Sequence, residues 1–321
     1  MLFKMVRKSL LIGITAWMGL STAARADDYP SRQIEFIVPF GPGGSSDTYV
    51  RLLAPRISTL LKVPVVVVNR PGAGGVIAAQ YALQANDGYR LFAGSAGPLG
   101  SALVVGSKAP YTLDDVSGIA QAMVNPLTLV AKPGRFASLD AFIKEARDKP
   151  GTINIGSYGL RSGAHFYIEQ LSQTLNVKLV HVPYDSGAKA MVAAMSGEVD
   201  ISVVTAATAK SNINGGTLKA LFVSTEQNVA DLPGVESIKS LGYPAAVVGM
   251  SEGIVTSSKV APDRVEILRK AFEFVLNDPA VATGIRTLGA EPVYLSGPAY
   301  NAVLKKDYDR LKTIATRVQM D

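Results

Sequence analysis

The chain has 321 residues, no cysteine, and 32 basic against 26 acidic side chains. Four of the basic residues and none of the acidic ones fall in residues 1 to 26, so the remainder carries 28 against 26, a net charge of +2. That balance gives no electrostatic basis for a nucleic-acid or anionic-membrane partner, and the lack of thiols leaves stability to buried core alone.

Lys4, Arg7 and Lys8 precede an uncharged run from Ser9 to Ala24 that ends in Ala24-Arg25-Ala26. This is the pattern of a secretory signal peptide with cleavage after Ala26, which would leave 295 residues in the periplasm. The run is 16 residues long, short of the ~20 that span a bilayer as a helix. A chain of this length favours two lobes over one core.

Beyond the leader, apolar segments of strand length alternate with segments of helical period. The strands are expected at Gln33 to Phe40, Val63 to Asn69, Tyr89 to Ser95, Thr152 to Ser157, Lys178 to Tyr184, Val199 to Val204 and Leu218 to Ser224. Most lack two-residue alternation, as strands do when a parallel sheet is covered on both faces. Between the first two, Val50, Leu53, Ala54, Ile57, Leu60 and Leu61 form one helical stripe, with a kink expected at Pro55. Pro262 to Asn277 and Gly297 to Val318 read as late helices, the second with Leu304, Tyr308, Leu311, Ala315 and Val318 on one face. The class is α/β, with mainly parallel sheets flanked by helices. Pro126 to Lys132 and Glu252 to Ser257 interrupt the alternation and read as crossings between lobes. One lobe is then residues 27–128 plus 252–321, and the other is residues 129–251.

Glycine clusters recur where strands run into helices: Gly41-Pro42-Gly43-Gly44-Ser45-Ser46-Asp47, Pro71-Gly72-Ala73-Gly74-Gly75, Gly94-Ser95-Ala96-Gly97, and Gly156 through Gly163. Such turns need glycine for their own geometry, yet they also bring backbone N–H groups and a helix N-terminus close to an anion. Open parallel sheets bind ligands beyond the carboxyl ends of their strands, and several clusters fall there. A nucleotide is a poor fit. The first cluster lacks the Gly-Lys-Ser/Thr ending of a phosphate loop, Ser46 replaces the third small residue of a dinucleotide fingerprint, and the second strand ends in Asn69 rather than an acid. His165 and His181 have no metal-ligand spacing, no Gly-x-Ser-x-Gly elbow occurs, and Asp47 reads first as a helix cap. No catalytic residue, metal or cofactor is implied.

At these residues the chain resembles the periplasmic substrate-binding proteins of tripartite tricarboxylate transporters, the Bug family. The similar segments are Tyr29-Pro30, Ile37 through Gly44 with Asp47, Val67-Val68-Asn69-Arg70-Pro71-Gly72-Ala73-Gly74-Gly75, Asp87-Gly88-Tyr89, His181-Val182-Pro183-Tyr184 and Gly197-Glu198-Val199-Asp200. The resemblance implies a two-lobed type II binding-protein fold, ligand in the cleft, a monomer, and no enzymatic activity. It further implies a small organic acid as ligand, a mono- or dicarboxylate including aromatic acids, and the transporter's membrane subunits as partners. Carried over, the ligand-binding positions are Phe40, Gly44, Ser45, Ser46 and Asp47, with Ser95 and Ala96, from one lobe. From the other come Gly159, Ser162, Tyr184, Asp185, Thr205 and Ala206. Arg161, in the Gly159-Leu160-Arg161-Ser162 loop, would fork onto a second ligand carboxylate or else stay solvated or paired with Asp185. A membrane-linked ligand sensor and a periplasmic hydrolase are the alternative roles.

Overall fold

A computed structural model describes residues 29–95, 97–101 and 110–317. The leader, Ala96 and Val318 lie outside the described residues. The chain opens with β1 (Ile34–Val38), α1 (Ser45–Leu61), β2 (Val65–Asn69), α2 (Val76–Leu83) and β3 (Arg90–Ser95). Strand β1 pairs in parallel with β2 on one side and β3 on the other. The sequence-expected strands are all present, each a residue or two shorter at one or both ends. Helix α1 runs through Pro55 as one element. Its stripe is buried at Val50, Leu53, Ala54 and Ile57, whereas Leu60 is exposed.

The crossing is larger than its sequence signal. Strand β4 (Val116–Ala131) is 16 residues long and belongs to both sheets. Its first part pairs antiparallel with the returning strand, and Leu127 to Ala131 pair with the second lobe. The second lobe follows as α3 (Leu139–Asp148), β5 (Asn154–Ser157), α4 (Gly163–Leu175), β6 (Val180–Pro183), α5 (Gly187–Ser196), β7 (Ile201–Thr205), α6 (Ala206–Asn214) and β8 (Lys219–Val223). Strand β5 pairs in parallel with β6 and β7. The chain returns through β9 (Gly249–Ser257), which lies antiparallel between β3 and β4. It ends with α7 (Pro262–Leu276), α8 (Pro279–Thr287), β10 (Glu291–Ser296) and α9 (Gly297–Arg317). Strand β10, which the apolar alternation did not reveal, pairs antiparallel with Ala120 to Val124 of β4 and is half-buried along its middle.

Both sheets are covered on two faces. In the first lobe Phe36, Leu53, Leu268 and Phe272 pack on one face, and Phe92, Leu99, Val255 and Tyr300 on the other. In the second, Phe142, Ile155, Leu171 and Phe222 oppose Val130, Ala190, Val204 and Ala209. Each fully buried large side chain contributes roughly 1.5–3 kcal/mol by burial, so each lobe has its own core. Among the described residues no helix is long and apolar enough to cross a membrane.

At the junction, glycine is required by space. A Cβ on Gly253 would sit 2.4 Å from the Ala120 carbonyl oxygen and 2.6 Å from the Tyr300 ring. Tyr49 and Tyr300 use the same tight packing to donate hydrogen bonds to the carbonyls of Gly253 and Gly94 (2.9 and 2.6 Å). Gly253→Ala is therefore expected to destabilise the protein by about 2–3 kcal/mol through overpacking, read as a lower urea midpoint with an unchanged slope.

Candidate functional site

The carboxyl ends of the parallel strands in both lobes face one another, and four helices begin there. Helix α1 starts from the β1 loop, α4 after β5, α5 after β6 and α6 directly after β7. They meet around a cavity of about 30 Å³, room for roughly two waters. From the first lobe its wall is Phe40, Gly44, Ser45, Ser46, Ser95, Gly97 and Pro98. From the second it is Tyr158, Gly163, Gly187, Thr205 and Thr208, and the junction strand β9 adds Met250 and Glu252. The lobes touch directly around it. Phe40 and Tyr158 stack edge-on at 5.1 Å, and the Gly41 N–H donates to the Asp185 carbonyl at 3.1 Å.

The α1 loop is held open by the residues that gave the sequence its signature. Asn69 donates from Nδ2 to the Phe40 carbonyl (3.0 Å) and to Asp47 Oδ1 (2.9 Å). Asp47 Oδ2 accepts from Gly43 N–H at 3.0 Å and from Arg51 Nε at 2.9 Å. Burial alone would raise the Asp47 pKa, but the bonds from Arg51, Gly43 and Asn69 together hold it below the usual carboxylate value. Asp47 thus ties down the loop from behind. Gly44 is the N-cap of α1 and has no side-chain cap, whereas Ser162, Ser186 and Thr205 cap α4, α5 and α6 with their own oxygens. The first-turn N–H groups of α1 have no such partner and are available to a ligand. Arg70 lies over the Tyr81 ring, 3.6 Å from its centroid, on the outer side of the loop.

Of the sequence-proposed positions, Phe40, Gly44, Ser45, Ser46, Ser95 and Thr205 come together on the cavity wall. Ala96 lies outside the described residues. Asp47, Ser162 and Ala206 stand one layer back, as loop anchor, helix cap and first helical residue. Gly159 and Arg161 belong to a loop whose backbone packs against Gly74 of the first lobe. Arg161 holds a positive φ of 59°, and its N–H donates to His165 Nδ1 at 3.0 Å. It is not part of the cavity wall, and Asp185 pairs with Lys189 at 2.6 Å rather than with Arg161. Tyr184 and Asp185 line a separate outer groove, where the Tyr184 hydroxyl donates to Glu198 at 2.8 Å.

Sequence reasoning passed over Glu252 and Asn125. Glu252 is 4% exposed and accepts from Ser45 Oγ at 2.8 Å, Ser46 Oγ at 3.1 Å and Asn125 Nδ2 at 3.4 Å. Burial pushes its pKa up, against these three donors. The sequence signal was an acid in the middle of the otherwise uncharged strand Gly249–Ser257.

The two histidines form a structural unit. Their rings stack at 4.1 Å and 15°. The fully buried Ser157 Oγ lies 2.6 Å from His181 Nε2 and also bonds within the Gly159 turn, so the pair props the loop. Burial, then the Arg161 charge, lowers the His165 pKa to about 4. Burial, then His165, lowers that of His181 to about 3.

These features define a two-lobed solute-binding protein, and similarity to known proteins agrees. The family described as "Tripartite tricarboxylate transporter family receptor" matches residues 49–320. Protein BugT of Bordetella pertussis (strain Tohama I) is 33% identical over 294 residues, covering 90% of each chain. The solved periplasmic binding protein BugD superposes with a TM-score of 0.85 at 25% identity, covering 91% of this chain and 99% of its own. A Rhodopseudomonas palustris protein solved with adipate gives 0.84 at 25% identity, covering 90% and 97%. The chain belongs to the tripartite tricarboxylate transporter receptor family, whose members are periplasmic binding proteins of the Bug type.

The histidine pair sets a pH test. Unfolded imidazoles bind protons near pH 6.5, whereas the folded pair stays neutral down to about 4 and 3. Their contribution to stability is complete above pH 6.5 and is lost progressively as pH falls through that window. Between pH 7 and 4.5 the melting temperature of the native protein should therefore fall more steeply than that of His165→Gln/His181→Gln. Parallel curves would remove the pair as the source of acid sensitivity.

Proposed function

We propose that this chain is exported to the periplasm, with its leader cleaved after Ala26, and there captures a small organic acid for a tripartite-type membrane transporter. The observation that carries this reading is the meeting of four helix N-termini from two lobes at one cavity. Backbone N–H groups and helix dipoles favour an anion without burying a protein cation beside it. The adipate bound by the Rhodopseudomonas palustris relative supports a carboxylate as the ligand class. Within this reading the lobes are residues 27–128 with 252–321, and 129–251, and the protein acts as a monomeric binder without turnover.

The cavity is too small for such a solute while the lobes touch, so entry requires them to part about the β4 and β9 strands. Capture is then the return to contact around the solute. A screen of organic acids by thermal shift should find a ligand that raises the melting temperature, since a ligand held only by the folded protein adds about 2.7 kcal/mol at a hundredfold excess over Kd. The ligand should be recovered unaltered after prolonged incubation.

Gly97 tests closure. A Cβ there would lie 2.9 Å from the Gly163 backbone nitrogen across the cleft. Gly97→Ala should hold the lobes apart and weaken the ligand found by the screen at least tenfold. Scattering at saturating ligand should show compaction of the native protein and less of the variant. Unchanged affinity with unchanged scattering would sink the closure mechanism.

A further inference from the structure

Glu252 is the group that anion capture leaves unexplained. It lies on the cavity wall, buried, and among the described residues its carboxylate takes hydrogen bonds from neutral donors: Ser45 at 2.8 Å, Ser46 at 3.1 Å and Asn125 at 3.4 Å. Among the described residues no lysine, arginine or histidine lines this cavity, and none forms an ion pair with Glu252. A buried carboxylate without a counter-ion is costly unless the group takes up a proton or a cation supplies the missing charge.

Ser45 and Ser46, the hydroxyls that the sequence resemblance assigns to the ligand's carboxylate, already donate to Glu252. A second carboxylate brought to the same hydroxyls would stand beside Glu252 where little water screens the repulsion. A protonated amine at that point would instead complete the ion pair. Its neighbours would include the aromatic rings of Phe40 and Tyr158, which line the same cavity and favour a cation over their faces. Opposite Glu252, the starts of α4, α5 and α6 reach the wall at Gly163, Gly187 and Thr205; their caps bond only the third N–H of each helix (His165, Lys189 and Thr208), so the leading N–H groups at Gly163, Gly187 and Ala206 are not used by the caps and can face a carboxylate. The cleft thus has an acceptor end and a donor end.

We propose that Glu252 is the specificity-determining residue of this cleft, and that the solute is a zwitterion with a protonated amine against Glu252 and a carboxylate against the second-lobe helix starts. This rests on the organic-acid reading above and narrows it. Plain diacids are disfavoured by the charge already inside. Asn125 has a positioning role: its amide reaches Ser45 Oγ at 2.5 Å and its oxygen accepts from the Ala207 N–H of α6 at 3.4 Å, so it sets the serine and the acid against the opposite lobe.

The test is calorimetry at pH 7.5 with matched probes that differ by one amine: succinate and aspartate, glutarate and glutamate, butyrate and 4-aminobutyrate, propionate and β-alanine. In at least one pair the native protein should bind the amino acid at least tenfold more tightly than the plain acid. Glu252→Gln keeps the shape and removes the charge, and it should lower that preference at least tenfold while leaving the plain acid equal or tighter. Plain acids bound as tightly as their amino partners by the native protein overturn the proposal but leave acid capture standing. An unchanged preference in Glu252→Gln of native melting behaviour also overturns it. Should that variant not fold, the ratio measured on the native protein decides alone. If no probe binds at millimolar concentration, the organic-acid reading fails and this inference with it.

Discussion

Everything in this molecule hangs on one antiparallel pair of strands. β4 leaves the first lobe and β9 re-enters it, and they are hydrogen-bonded to each other from Val116 and Ser257 down to Pro126 and Gly249. Because β4 also joins the second sheet through Leu127 to Ala131, the two lobes share a continuous backbone ladder and not a loose tether. A ladder bends more readily than it slides, since sliding would break every bond in register and turn side chains to the wrong face. The facing strand ends are thereby kept opposite each other, and the cleft has one place to be.

The cost of this junction is space. The β4–β9 region is crowded at Gly118, Gly253 and Gly297, where an added Cβ would meet backbone oxygen at 2.4 Å or less. Tyr49 and Tyr300 reach in from α1 and α9 to satisfy carbonyls beside Glu252, and burial, then the neighbouring Glu252, keeps both phenols protonated. The lobes also touch far from the cleft. Phe166 of α4 packs on Leu311 of α9, and Lys210 of α6 donates to the carbonyls of Arg286 and Thr287 at 3.0 and 3.2 Å.

The loop signature works by indirect means. Asn69 and Asp47 never reach the cavity wall, yet they fix the Gly41 to Gly44 turn and leave the start of α1 without a side-chain cap. The three helices of the other lobe are capped by Ser162, Ser186 and Thr205, whose oxygens turn toward their own N–H groups. The two halves of the cleft are therefore chemically unequal, one with a single uncapped helix start beside a buried acid, the other with three helix starts whose caps take only the third N–H of each.

How much of this was legible in the sequence follows from the range of the forces involved. Local periodicity and turn chemistry depend on neighbours three or four residues away, so the α/β alternation, the parallel strands, the long C-terminal helix and the glycine loops could be read directly. The cavity-lining Phe40, Gly44, Ser45, Ser46, Ser95 and Thr205 were named through the family resemblance, while strand-end glycine clusters pointed to the same region. The length of β4 and the existence of β10 were not, since both are decided by pairing with distant segments. Whether Arg161 would clamp a ligand, stay solvated or pair with Asp185 was left open, because an arginine in a glycine loop can point many ways and only packing against Gly74 decides where that loop sits. Composition and family were thus determined by the sequence itself. That Glu252 is buried against Ser45 and Ser46, more than 200 positions away, was decided by tertiary structure alone, because a charge's environment is set by what folding brings around it.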